Sequence, residues 1–254
     1  MLLAIDIGNT NIVLGLYKDE QLCSHWRLSA RIGRTADEWG MLLLNLFSHD
    51  HLDYHDVKAI AVSSVVPPVM PIIEEMARQY FQIEPLVVGP GVKTGMPILY
   101  DNPREVGADR IVNAVAGYEL YGGPLLIVDF GTATTFCVVN EKGEYLGGAI
   151  TAGIDSAMEA LFQRTAKLPR VELVKPSKVI GRNTVSSMQS GLYYGFIGQI
   201  EGIIGKISEE IGLEPFVVVT GGISRFIARE SAMIDKEDPF LTLEGLRIIY
   251  NRNC

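Results

Sequence analysis

The residues best suited to chemistry in this chain form the run Asp6-Ile7-Gly8-Asn9-Thr10-Asn11. The glycine lets a phosphate approach the backbone closely, and Asn9, Thr10 and Asn11 carry donors for its oxygens. Asp6 is placed to hold the metal that accompanies such a group. Asp129-Phe130-Gly131-Thr132 repeats the arrangement with a second carboxylate and a second hydroxyl. One copy alone reads equally well as a hairpin turn with a solvated acid. Two copies at equivalent positions argue for a shared task, the clasping of a nucleotide's phosphates. A third element is Val217-Val218-Val219-Thr220 followed by Gly221 and Gly222, a buried strand that delivers bare backbone to a helix start and suits the flat approach of an adenosine.

A different chemistry is offered by Gly107-Ala108-Asp109-Arg110, which opens an apolar-periodic helix from Ile111. An acid at a helix N-terminus serves as a simple cap in many proteins. Arg110 beside it adds the charge that a carboxylate-bearing substrate needs, so the pair is suited to bind and deprotonate an acceptor. Other nucleotide signatures are missing: there is no GxxxxGK[ST] loop, no GxGxxG after a strand and no protein-kinase HRD set.

These turns need strands beneath them. Residues 2–21 and 125–144 align without gaps, each reading as apolar strand, Asp-x-Gly turn, apolar strand and polar turn. Thr35-x-x-Glu38 forms a capping box before an apolar stretch from Trp39 to Phe47, which predicts a helix. The pattern then predicts a strand over 57–64, a helix after Pro67-Pro68 and a short strand at 86–88. In the second half it predicts helices near 154–161 and over 185–211, the strand at 216–220 and one more helix. Two such halves argue for a duplicated α/β protein with the ligand in a cleft between domains 1–115 and 116–254.

Composition narrows the partners. In 254 residues the formal charge is -8, which leaves no basic excess for nucleic acid or an anionic membrane. A small-molecule ligand is favoured. Cys23, Cys137 and Cys254 are too few and too widely spaced for a disulfide framework or a zinc site, which suggests a reducing, cytoplasmic setting. The first strand begins at once and Asp6 interrupts it, so neither a signal peptide nor a membrane span is expected.

Taken together, DIGNTNIVLG, SSVVPP, YDNPREVGADR, VDFGTATTF, GGAITAGI, IGRNT and VTGGIS resemble the type III pantothenate kinases, members of the acetate and sugar kinase, heat-shock chaperone and actin superfamily. The resemblance implies two ribonuclease H-like (actin-like ATPase) domains and transfer of the ATP γ-phosphate to pantothenate, the first step of coenzyme A synthesis. It implies that Asp6, Ile7, Gly8, Asn9, Thr10, Asn11, Ile12 and Val13 form the phosphate-binding loop, with Thr132 as a further ATP contact. Tyr100, Gly107, Ala108, Asp109, Arg110 and Thr184 would contact pantothenate, Asp109 would be the general base, and Asp129 would hold a monovalent cation. Mg²⁺, K⁺ or NH₄⁺ and a homodimer belong to the same expectation. The readings left beside it are a non-catalytic module on the same fold, a kinase of another small carboxylate or sugar, and a phosphatase acting on polyphosphate.

Three further features carry less. His49, His51, Asp53 and His55 mimic a metal-binding run but read as a solvated loop after a helix. Arg27, Arg31 and Arg34 read as a solvent-facing loop of charges. Gly191, Gly195, Gly198, Gly202 and Gly205 place a bare stripe on one face of the long helix, and another helix of the same chain is its expected partner, with a dimer mate second.

Overall fold

The computed structural model describes residues 1–30 and 33–254. They form two compact units, one of residues 1–120 with 240–254 and one of residues 121–239. In the first unit β1 (Leu2–Ile7), β2 (Asn11–Lys18) and β3 (Gln21–Ser29) make an antiparallel meander. After α1 (Ala36–His49) come β4 (Ala59–Ser64), α2 (Met70–Met76), β5 (Leu86–Val87) and α3 (Ala108–Tyr121). The sheet order is β3-β2-β1-β4-β5, with β4 parallel to β1.

The central place of β1 follows from its residues. LLAIDI is apolar on both faces, and Leu3, Ala4, Ile5 and Ile7 are all buried, as a strand covered on both sides requires. The predicted capping box is present: Thr35 Oγ1 accepts from the Glu38 N–H at 3.2 Å, and Glu38 Oε2 accepts from the Thr35 N–H at 2.8 Å. It sets the start of α1, which turns Trp39, Leu43 and Phe47 into the core. The helix predicted after Pro67-Pro68 is composite, a 3-10 turn at Pro67–Val69, then α2, then a π-helical turn at Ala77–Phe81.

The second unit holds β6 (Leu125–Phe130), β7 (Ala133–Val139), β8 (Tyr145–Ala152), α4 (Ile154–Arg164), α5 (Thr184–Ile211), β9 (Phe216–Gly221), α6 (Ser224–Ala228) and β10 (Lys236–Glu237). Its sheet order, β10-β9-β6-β7-β8, is that of the first unit read from the other edge. The duplication therefore reaches past the two hairpins to the whole sheet. It is not gapless, however. Asp6 pairs with Val13 whereas Asp129 pairs with Thr135, so the second turn is one residue shorter. Thr132, not its neighbour, then corresponds to Thr10: the Thr10 carbonyl accepts from Ala30 and the Thr132 carbonyl from Gly153.

β3, β8, β10 and α7 were not predicted from the sequence, and two of these change the picture of the first unit. β3 alternates half-buried and exposed residues and is rich in polar side chains, so Arg27 sits on a strand opposite Val13 and not in a loop. Arg34 lies with its guanidinium 4.7 Å from the Trp39 ring, while Arg31 falls outside the described residues. The second is α7 (Leu241–Asn253), which returns to the first unit and packs on β1, β2 and β4. The boundary expected at 115/116 falls inside α3.

The glycine stripe of α5 also differs from expectation. Leu192, Phe196, Ile200 and Ile204 face the core, and a Cβ added at Gly191, Gly195, Gly198, Gly202 or Gly205 would meet nothing within 4 Å. No helix of this chain packs there among the described residues. The run from His49 to His55 does read as solvated: His49 ends α1, and Asp53 Oδ1 accepts from the His55 N–H to open a 3-10 turn.

The seat of α7 is tight. Thr242 Oγ1 donates to Asn113 Oδ1 at 2.7 Å, and a Cβ at Gly245 would lie 2.2 Å from the Val112 carbonyl oxygen of α3. Gly245→Ala must therefore lift α7 from α3, and we expect a lower melting temperature, from a loss of about 1–3 kcal/mol. An unchanged thermal melt would show that the seat is not tight.

Candidate functional site

Asp6 is the penultimate residue of β1, and Asp129 holds the same place on β6. Parallel pairing sets each acid beside a hydroxyl residue, Asp6 beside Ser63 on β4 and Asp129 beside Thr220 on β9. Ser63 Oγ donates to Asp6 Oδ1 at 2.6 Å. Beyond Asp6 the chain turns so tightly that the Gly8 N–H donates to the Asn11 carbonyl at 3.0 Å, and a Cβ on Gly8 would sit 3.1 Å from that oxygen. Close approach, and no left-handed φ, is what calls for glycine here. Asn9 and Thr10 are exposed and Gly8 and Asn11 partly so, while Ile7 and Ile12 lie in the core and Val13 is half-buried.

The segment Gly107 to Arg110, expected to bind an acceptor, stands beside this turn within the same unit. Val65 donates its N–H to the Ile7 carbonyl at 3.1 Å, and a Cβ on Gly107 would lie 3.7 Å from Val65 Cγ1. Gly107, Ala108, Asp109 and Arg110 thus open α3 next to the C-terminal ends of β1 and β4. Asp109 Oδ1 accepts from the Arg110 N–H at 2.8 Å and would be 2.5 Å from a Gly107 Cβ, so the glycine leaves room for the carboxylate. Burial pushes the Asp109 carboxyl above its usual range, and the Arg110 N–H and charge only partly offset this. Arg110 itself is buried, and Tyr100 lies half-buried in the segment that leads to the motif.

In the second unit the Asp129 turn gathers its own neighbours. Gly131 donates its N–H to the Ala133 carbonyl, and Ser156 Oγ donates to the Thr132 carbonyl at 2.7 Å. The start of α4 is thereby fixed against the turn. Gly221 has a φ of +96°, and a Cβ there would lie 2.6 Å from Asp129 Oδ1. The Gly222 N–H donates to the Phe130 carbonyl at 3.0 Å, and Ser224 Oγ donates to the Gly221 carbonyl at 2.9 Å. Asp129, Thr132, Gly221 and Gly222 are therefore brought together. The bareness of Gly221 is explained by the carboxylate beside it. Thr184 opens α5 after the Asn183 cap and lines a cleft of about 700 Å³ with Leu161, Arg182 and Met188.

Ser63, Gly153 and Ser156 belong to these sites but were not singled out from the sequence, because only strand register and the seating of α4 bring them to the turns. The donor chemistry suits a hard cation. Among the described residues no three His, Cys, Asp or Glu side chains group into a metal cage. Single strand-end carboxylates fit Mg²⁺, which takes most of its ligands from substrate phosphates and water.

Gly221→Ala would place a side chain in a left-handed backbone and against the Asp129 carboxylate. We expect a destabilisation of about 1–3 kcal/mol together with weaker nucleotide binding, read by thermal melts with and without ADP. An unaltered melt in both conditions would contradict this placement.

A family model described as type III pantothenate kinase matches residues 2–206. A type III pantothenate kinase from Bacillus cytotoxicus is 57% identical over 254 residues, covering 100% of this chain and 97% of that protein. Among solved structures, a protein from Campylobacter jejuni described as a Baf family transcriptional activator has a TM-score of 0.61 at 20% identity, covering 99% of this chain and 98% of the other. Component A of the (R)-2-hydroxyglutaryl-CoA dehydratase of Acidaminococcus fermentans has a TM-score of 0.53 at 12% identity, covering 98% and 96%. These two structures speak for the duplicated, actin-like α/β fold alone. The extent of the family match and the identity along the full length decide the family: this chain belongs to the type III pantothenate kinases.

Proposed function

We propose that the chain transfers the γ-phosphate of ATP to the primary hydroxyl of pantothenate, giving 4′-phosphopantothenate and ADP, the first step of coenzyme A synthesis. The observation that carries the acceptor half is Asp109: a partly buried carboxylate with a raised pKa, next to a buried arginine and beside the turn that follows β1. A raised pKa brings a carboxylate nearer to the working range of a general base. Asp109 takes the hydroxyl proton as the oxygen attacks the γ-phosphorus, the bond to the bridging β,γ-oxygen breaks, and ADP leaves. Arg110, Tyr100, Gly107, Ala108 and Thr184 orient pantothenate, with the arginine pairing its carboxylate.

ATP and a divalent metal follow from family membership. We assign the phosphates to residues 6–13 and to Thr132, with Gly221 and Gly222 toward the adenosine. Asp6 would hold Mg²⁺ and Asp129 the monovalent cation, K⁺ or NH₄⁺. Bound cations supply the charge that lets two anions react, a stabilisation central to phosphoryl transfer. We also assign the enzyme to the cytoplasm, in keeping with the lack, among the described residues, of any helix long and apolar enough to cross a membrane. A homodimer accounts for the outward glycine face of α5, where an added Cβ would meet nothing within 4 Å among the described residues.

A coupled ADP-release assay offered pantothenate, glucose and acetate should show turnover with pantothenate alone. Turnover confined to another acceptor would replace this reading. Asp109→Asn should lose on the order of 10²- to 10⁴-fold in kcat. The wild-type kcat/KM should fall as pH drops through the raised Asp109 pKa, and that acid limb should vanish in the variant. The sign for stability is opposite. A carboxyl whose pKa is raised by folding stabilises below its unfolded pKa and loses that contribution as pH rises through the folded one. At neutral pH the variant should melt at or above the wild-type temperature. Near-wild-type turnover would remove the general-base role. Sedimentation velocity should report a dimer, shifted toward monomer by Gly198→Leu; a monomeric wild type would withdraw that assignment.

A further inference from the structure

We propose that Ser63 is a positioning residue for Asp6, holding its carboxylate in the orientation that meets the cation accompanying ATP. The proposal rests on the assignment of Asp6 to the nucleotide's metal and names the group that makes that assignment work.

Ser63 is fully buried near the end of a strand whose sequence, AIAVSS, is otherwise apolar to that point. A hydroxyl in such a place costs desolvation unless it is paired. Its bond is to Asp6, with Oγ donating to Oδ1 at 2.6 Å, within the short range typical of an O–H donor on a carboxylate. Register makes the pairing unavoidable: β1 and β4 run parallel with Asp6 opposite Ser63, so both side chains leave the same face of the sheet. Its neighbour Ser64 has a different task, accepting from the Val66 N–H at 3.0 Å to shape the following turn.

The second unit supplies an independent observation. Thr220 stands opposite Asp129 in the same parallel register and is buried to the same degree, at 2% exposure. The flanking sequences, AIAVSS and FVVVTG, share little. A hydroxyl recurring at one register position beside each strand-end acid, in strands that otherwise diverge, serves the acid and not the packing of either strand.

The test is isothermal titration of Mg·ADP into the full chain. Ser63→Ala should bind about tenfold more weakly, the usual effect of losing a hydrogen-bond partner of a metal ligand, while affinity for ADP in EDTA stays at the wild-type value. Ser63→Cys, which keeps the volume but donates weakly, should lose affinity alike, and Ser63→Thr, the residue type found at 220, should restore it. In an Asp6→Asn background Ser63→Ala should add no further loss. Wild-type Mg·ADP affinity in both the Ala and Cys variants would overturn the proposal, as would an equal loss with or without the Asp6 carboxylate or an equal loss in EDTA. Because no acceptor is present, a wild type that binds Mg·ADP but ignores pantothenate would remove the proposed reaction and leave this inference standing.

Discussion

The constraint on which the rest depends is the register of one parallel strand pair in each unit. β1 lies between an antiparallel and a parallel neighbour, and the fixed pairing with β4 decides that Asp6 stands at the strand's C-terminal end beside Ser63. A slip of one residue would turn the acid to the opposite face and expose Ile5 or Ile7 in its place. The buried side chains of β1 therefore secure the position of its single charged residue. The same holds for Asp129 on β6, whose neighbours have the same pattern of burial. In open sheets of this kind ligands gather beyond the carboxyl ends of the strands, and here both acids are delivered to such an end.

Duplication sets a common plan, and small departures from it separate the roles of the two units. The turn after Asp6 is one residue longer and carries Asn9, Thr10 and Asn11, a cluster of donors. The turn after Asp129 is shorter and is braced by Gly153, Ser156 and Gly221. Only the first unit adds α3, whose opening residues bring Asp109 to the strand ends next to Val65. The chain thus places Asp109, the acid we propose to activate the acceptor, on one copy of a repeated scaffold, while the other copy keeps an acid with a shorter, more heavily braced turn.

Much of this was legible in the residues. Asp-x-Gly after an apolar run announced both hairpins, the capping box at Thr35 announced α1, and GADR before an apolar period announced the start of α3. What stayed hidden depends on pairing between distant segments. β3 could not be read because its exposed edge position admits polar residues, and α7 because its seat is made by Val112, Asn113 and Leu243 meeting across the chain. The one-residue difference between the turns is invisible in an alignment and clear in the ladder of hydrogen bonds. The glycine stripe of α5 misled for a related reason: small residues signal close approach without saying by whom, and among the described residues a Cβ added at any of them would meet nothing within 4 Å. Ser63 lies in the run SSVVPP, yet only the β1–β4 register gives its hydroxyl a task.

We propose that each strand-end acid is needed for nucleotide binding, because register delivers both to the carboxyl end of a parallel strand. Calorimetric titration of a non-hydrolysable ATP analogue, with its cations, into the wild type, Asp6→Asn and Asp129→Asn tests this. Saturable binding in the wild type and weakened binding in each variant is the expected result. Undiminished affinity in either variant would contradict it.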